Sequence, residues 1–293
     1  MDPRLSLAGL LIGLLVGLTG MGGGALLTPL LIFLFGFKPT LAIGTDILHG
    51  AVFKTFGAVR CRRLGTVHAR MTAWMLLGSA PMSLVGVELA EWIAARYGDD
   101  AEGTMAKVIG AALVLGGLGF LAKTFVRRGV QATDAPFLLR RRDRVGAFAL
   151  GVGGGFIVGL TSVGSGTFFA LVMLLVFPLT AAKIVGTDIF HAAALLWVAG
   201  ISHLLHGNVD LVAMGSLLLG SVPGVLLGSQ LTVRLPDTAL RVGLAATLFV
   251  SGLKLLDVPG SDELILVAFA GGLVALGVAA VRIWSRRPAL VRE

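Results

Sequence analysis

Gly17-Leu18-Thr19-Gly20-Met21-Gly22-Gly23-Gly24 returns as Gly159-Leu160-Thr161-Ser162-Val163-Gly164-Ser165-Gly166, 142 residues later. The same spacing pairs Gly44-Thr45-Asp46-Ile47-Leu48-His49 with Gly186-Thr187-Asp188-Ile189-Phe190-His191. It also pairs Gly78-Ser79-Ala80-Pro81 with Gly220-Ser221-Val222-Pro223. Three matches in one register without a gap describe a duplicated half. In an apolar chain, corresponding hydrophobic segments broken by glycine and followed closely by polar residues are expected of a transporter whose site lies between its repeats.

The rest of the composition sets the solvent. Of 293 residues 56% are hydrophobic and only 14% charged, and mean hydropathy is +0.93. A soluble domain of this size could not hide that much apolar surface, so the chain reads as an all-α polytopic membrane protein. The single cysteine, Cys61, excludes an internal disulfide, and the five histidines lack zinc-ligand spacing, so neither metal nor cofactor is expected. The net charge of +8 sits in short loops and tails beside apolar segments, which points to membrane orientation rather than nucleic acid. Leu5 to Leu18 behind Arg4 looks like a signal-peptide core, but no cleavage site follows and it is expected to stay.

Nine apolar segments stand near 5–36, 41–59, 71–95, 104–126, 145–178, 181–205, 211–233, 238–256 and 264–284, the first and fifth long and glycine-broken. Basic clusters at Arg60 to Arg70, Arg127 to Arg144 and Arg282 to Arg287 belong inside by the positive-inside rule, whereas Asp99 to Glu102 and Asp257 to Glu263 are acidic. Nine single crossings would put the basic C-terminus outside. The economical repair makes each glycine-broken segment re-entrant and follows it by three transmembrane helices. An odd number of crossings then inverts the second half, which would put the repeat-mates Thr66 and Asn208 on opposite faces. The chain divides into a first transmembrane repeat, 1–126, a basic cytoplasmic linker, 127–144, and a second repeat, 145–293. The linker's arginines would meet anionic lipid headgroups.

Non-helical backbone survives in hydrocarbon only where protein or a water-filled cavity satisfies it. Gly22, Gly23, Gly24, Gly164, Ser165 and Gly166 are therefore candidates for the lining of a small anionic substrate's site, their N–H groups forming a nest ahead of a half-helix. Close helix packing through small residues is the competing reading. Thr45, Asp46 and His49, with Thr187, Asp188 and His191, complete the candidate set. The i, i+3 spacing puts each Asp and His on one helix face, and such groups normally turn inward to a partner. The histidines would bind an anionic oxygen or carry a coupling proton; sodium is the other candidate coupling ion. The competing reading is that Thr45 with Asp46 and Thr187 with Asp188 cap helix starts near the re-entrant tips, with His49 and His191 hydrogen-bonded in the core. Lys54 has Leu196 as its repeat-mate, and either attracts an anion or snorkels to the interface. Pro81 and Pro223 predict kinks or cavity-lining breaks, and His68, His203 and His206 are expected in solvated loops.

Gly-Leu-Thr-Gly-Met-Gly-Gly-Gly from Gly17, then Leu-Thr-Pro-Leu-Leu and Ala-Ile-Gly-Thr-Asp, resembles the TauE/SafE sulfite exporter family of bacterial membrane permeases, over about Leu5 to Ile283. The resemblance implies a multi-pass protein of the bacterial inner membrane that moves small sulfur-containing or carboxylated anions, such as sulfite or sulfoacetate, out of the cell. Ser162, Val163 and Ser165 replace Gly20, Met21 and Gly23, so the two turns need not act alike. Two rivals are an intramembrane serine hydrolase using Ser165 and His191, and a non-transport membrane subunit in sulfur metabolism. The hydrolase lacks the first glycine of a Gly-x-Ser-Gly elbow, because Val163 stands there. Packing glycines are compatible with a homo-oligomer.

Overall fold

The computed structural model describes residues 2–19, 24–97, 101–125, 137–164, 166, 168–231 and 237–260. Within them every regular element is an α-helix: α1 (Pro3–Thr19), α2 (Gly24–Phe35), α3 (Pro39–Arg63), α4 (Ala69–Tyr97), α5 (Ala101–Phe125), α6 (Arg141–Thr161), α7 (Phe168–Val176), α8 (Ala181–Leu205), α9 (Leu211–Leu231) and α10 (Asp237–Leu255). The apolar segment 264–284, the core of the 127–144 linker, Gly22, Gly23 and Ser165 lie outside the described residues. Among the described residues, four helices are long and apolar enough to cross a membrane: Ala69–Tyr97, Ala101–Gly119, Arg141–Thr161 and Ala182–Leu205. Leu7, Leu34, Phe56, Leu77, Leu115, Leu205 and Leu226 are among many large apolar side chains turned outward, an arrangement suited to lipid as solvent.

Local chemistry ends the helices where the chain must turn. Pro39 opens α3 at a position whose N–H has no intrahelical acceptor. Arg60, Arg62 and Arg63 close it, complementing the negative end of its dipole. Gly65 then takes φ +66° and Gly207, its mate after α8, takes φ +78°; both positions need glycine's freedom. Thr66 N–H to Cys61 O, 3.1 Å, and Asn208 N–H to His203 O, 2.9 Å, tie off the two helix ends alike. α6 starts with the Arg140 N–H donating to Asp143 Oδ2 at 2.8 Å, which satisfies one backbone donor at the helix start.

Glycines also set the packing. β-Carbons at Gly151, Gly155 and Gly159 of α6 would collide with the backbone of Met75, Ser79 and Ser83 of α4. Both sets of numbers rise together, so α4 and α6 run parallel in close contact, as small residues allow. Gly9 and Gly13 of α1 meet Leu217 and Ser221 of α9 in the same way. Each of these contacts is the other's counterpart at the 142-residue spacing. By contrast, α3 and α8 run antiparallel, Gly57 against Ile189, Gly50 against Leu196 and Gly44 against His203. α5 and α10 are also antiparallel, Gly110 meeting Gly252 and Gly117 meeting Ala245.

The glycine-broken segments each divide into a longer and a shorter helix. In the second, Phe169 lies against Gly154 and Phe177 against Gly146, so α7 runs back along α6 toward its start. The chain turns between them at Ser162 (φ 62°), Gly164 (φ 119°) and Gly166 (φ 99°). A β-carbon at Gly164 would find only ordinary contacts. That glycine serves the backbone conformation rather than close packing.

Candidate functional site

α3 and α8 carry the polar residues that this packing buries. Asp46 is 1% exposed and accepts two hydroxyl hydrogen bonds on the same oxygen, from Thr28 of α2 at 2.5 Å and from Ser162 at 2.8 Å. The carboxylate thus joins the first half's short helix to the second half's turn. Ionised carboxylates in apolar surroundings need such donors, and charge-assisted bonds are the stronger kind. At the 142-residue spacing, Thr28 and Ser162 correspond to Ala170 and Gly20, which have no hydroxyl to offer Asp188.

One turn further along α3, His49 Nε2 lies 2.9 Å from Ser221 Oγ of α9. Its mate repeats the contact: His191 Nε2 lies 2.9 Å from Ser79 Oγ of α4. Which partner donates depends on the imidazole tautomer. All four side chains are buried. Phe53 stacks on His49 with centroids 5.8 Å apart, and Phe169 of α7 packs at 4.5 Å from His191. Among the described residues, no group meets His191 Nδ1.

Lys54 breaks the symmetry. It is 6% exposed, so it does not snorkel to the interface, and it interacts electrostatically with Asp188, Asp46 and His191. With His49, Ser221, Gly13 and Val16 it lines a cavity of about 10 Å³, close to the least volume that holds one water molecule. The lysine side chain therefore links the two polar clusters.

Thr45 and Thr187 do other work. Neither caps its own helix; Thr45 Oγ1 accepts from Asp210 N–H at 3.0 Å and Thr187 Oγ1 accepts from His68 N–H at 2.9 Å. Asp210 and His68 are themselves repeat-mates that cap the next helices, through Ala213 N–H to Asp210 Oδ1 at 2.9 Å and Met71 N–H to His68 Nδ1 at 3.2 Å. The threonines fasten each half's loop to the other half's helix. Gly164 and Gly166 shape the turn beside Ser162, and Gly24 begins α2. His203, expected in solvent, is instead fully buried with Nε2 3.2 Å from Gly159 O. His206 does reach the surface, where it pairs with Glu88 at 3.4 Å.

Ser79, Ser221, Thr28 and Ser162 were not among the candidates named from the sequence. The first two were signalled by the repeated Gly-Ser-x-Pro, the last by its departure from Gly20. Thr28 carried no signal from the repeat, because its mate is alanine, and stood out only within the Leu-Thr-Pro-Leu-Leu run of the family resemblance.

The family profile described as sulfite exporter TauE/SafE matches residues 5–255. The chain is 38% identical over 256 residues to "Probable membrane transporter protein YjnA" of Bacillus subtilis (strain 168), covering 87% of this chain and all 100% of that one. "Probable membrane transporter protein YdhB" of the same organism is 25% identical, over 84% of this chain and 96% of its own length. "Probable membrane transporter protein YunE", also from that organism, is 23% identical over 85% and 94% respectively. No solved structure matches significantly.

Proposed function

This chain belongs to the sulfite exporter TauE/SafE family and is a multi-pass inner-membrane transporter, not an enzyme; on that premise we propose that it exports small organosulfur oxyanions such as sulfite or sulfoacetate. The observation that carries the reading is the reciprocal pair of buried contacts, His49 with Ser221 and His191 with Ser79, with the Lys54 side chain lining the small cavity beside the first pair and interacting electrostatically with Asp188 and Asp46. Hydroxyl, imidazole and ammonium groups are the donors that recognise an oxyanion, and each His–Ser pair draws on both halves.

In this reading residues 1–126 and 145–293 are two repeats of inverted topology joined by a cytoplasmic linker, 127–144. Two observations support it: corresponding helices α3 and α8 run antiparallel, and α7 returns along α6 as a re-entrant segment would. The site lies between the repeats, and rocking one against the other exposes it to alternate faces. Lys54 supplies the positive charge, the His–Ser pairs bind the anion's oxygens, and Asp46 and Asp188 hold a coupling proton or sodium ion that balances charge. Gly24, Gly164 and Gly166 shape the turns around it, with Gly22, Gly23 and Ser165 as further candidates for its lining, while Thr45 and Thr187 hold the loops that move with each half.

The test is counterflow of labelled sulfite and sulfoacetate in liposomes, with and without an imposed pH or sodium gradient. Saturable exchange is expected from the native protein. Losing hydrogen bonds to a charged ligand costs about 1.5–3 kcal/mol each, so His49→Ala with His191→Ala should cut exchange by more than about tenfold. Undiminished exchange in that double variant would remove the histidines from the site. No exchange of either anion by the native protein would send the search to other carboxylates.

A further inference from the structure

A second concavity, of about 420 Å³, opens on the outer side of the α3–α8 pair. One wall is the last turn of α3, where Arg62 and Arg63 are exposed; the other is α8. The Arg62 guanidinium stands 5.8 Å above the centre of the Phe190 ring. Trp197 fixes the far end, its Nε1–H donating to Thr55 Oγ1 at 2.9 Å. Between these lie only small or apolar side chains, Ala58, Val59, Ala193 and Ala194. The groove has a basic mouth and an apolar floor.

Its surroundings match the membrane boundary. Phe56 and Val59 beside it are exposed, so the groove faces hydrocarbon along its length. The basic charge is one-sided: at the 142-residue spacing Arg62 and Arg63 correspond to Leu204 and Leu205. Anionic phospholipid is likewise concentrated on the cytoplasmic side, where each nearby arginine or lysine is attracted.

We propose that this groove binds an anionic phospholipid, its phosphate held by Arg62 and Arg63 and an acyl chain lying along Ala58, Ala193, Ala194 and Trp197. A free inorganic anion would meet the arginines but leave the apolar floor uncovered, so the lipid is the occupant that uses both parts. Because α3 and α8 also carry Asp46, His49, Lys54 and Asp188, a lipid seated here braces the outside of the helix pair that holds the polar cluster.

Brominated lipids quench tryptophan fluorescence on contact, and the Trp197 signal is the difference between the native protein and Trp197→Phe. In nanodiscs, brominated phosphatidylglycerol should quench that signal in preference to brominated phosphatidylcholine. At about 1 kcal/mol per arginine the preference should approach about 30-fold in apparent affinity. Arg62→Gln with Arg63→Gln should abolish the preference, and Ala194→Phe, which fills the groove without adding a tryptophan, should sharply reduce quenching by both lipids; size-exclusion profiles check that each variant stays folded. Sodium phosphate should not displace the lipid. Equal quenching by the two lipids, a preference that survives the arginine substitutions, displacement by phosphate, or a Trp197 that neither lipid reaches would each overturn the proposal.

Discussion

The polar cluster on α3 and the one on α8 share a scaffold but not a chemistry. Both have a threonine that fastens a loop, a buried aspartate, and a histidine against a serine of the other half. Among the described residues, the α3 cluster adds two hydroxyl contacts on its aspartate and a buried lysine. The duplicated contacts and the singular ones both join the halves; the singular ones add hydroxyl donors to Asp46 and an ammonium group that interacts with both aspartates.

Substitutions that copy the second cluster into the first break that difference. Lys54→Leu reproduces Leu196 and should have the largest effect, because removing one partner from a buried charge cluster costs about 3–5 kcal/mol. Thermal unfolding in detergent should fall sharply and counterflow should vanish; an unchanged midpoint would mean that the ammonium does not neutralise the carboxylates. Thr28→Ala together with Ser162→Gly reproduces Ala170 and Gly20. Each lost charge-assisted bond is worth about 1.5–3 kcal/mol, so exchange should drop more than about tenfold. Normal exchange there would make the Asp46 hydroxyls ornamental to transport.

Other substitutions sharpen the likeness. Gly13→Val and Gly155→Val press the same β-carbon into the same backbone on opposite sides, each destabilising by about 1–3 kcal/mol through overpacking. Similar losses in melting temperature are expected, and a large disparity would refute their equivalence. Thr45→Val and Thr187→Val should be the mildest pair, about 0.6 kcal/mol each, with matching shifts in the same assay.

Much of this was legible before any coordinates. Equal spacing between repeated motifs survives in sequence because each repeat needs the same glycines for the same approaches, which is why Gly44, Gly186 and the Gly-Ser-x-Pro runs stood out. Partners across the halves were not legible, since Ser162 reaches Asp46 through a tertiary contact between elements far apart in the chain. The sequence misjudged His203 because a residue near a loop can still turn inward, here onto the Gly159 carbonyl. Lys54 was visible as an unmatched charge, but its burial depended on where α3 meets α8.

The most direct test of two inverted halves is the side from which corresponding turns react. Thr66 and Asn208 are half-buried against Gly186 and Gly44, so their exposed neighbours Leu64 and His206, also repeat-mates, are better reporters. In Cys61→Ser protein, Leu64→Cys should react with a membrane-impermeant maleimide only from the cytoplasmic face, and His206→Cys only from the outer face. Labelling of both cysteines from one face would contradict the inverted arrangement and the alternating site built on it.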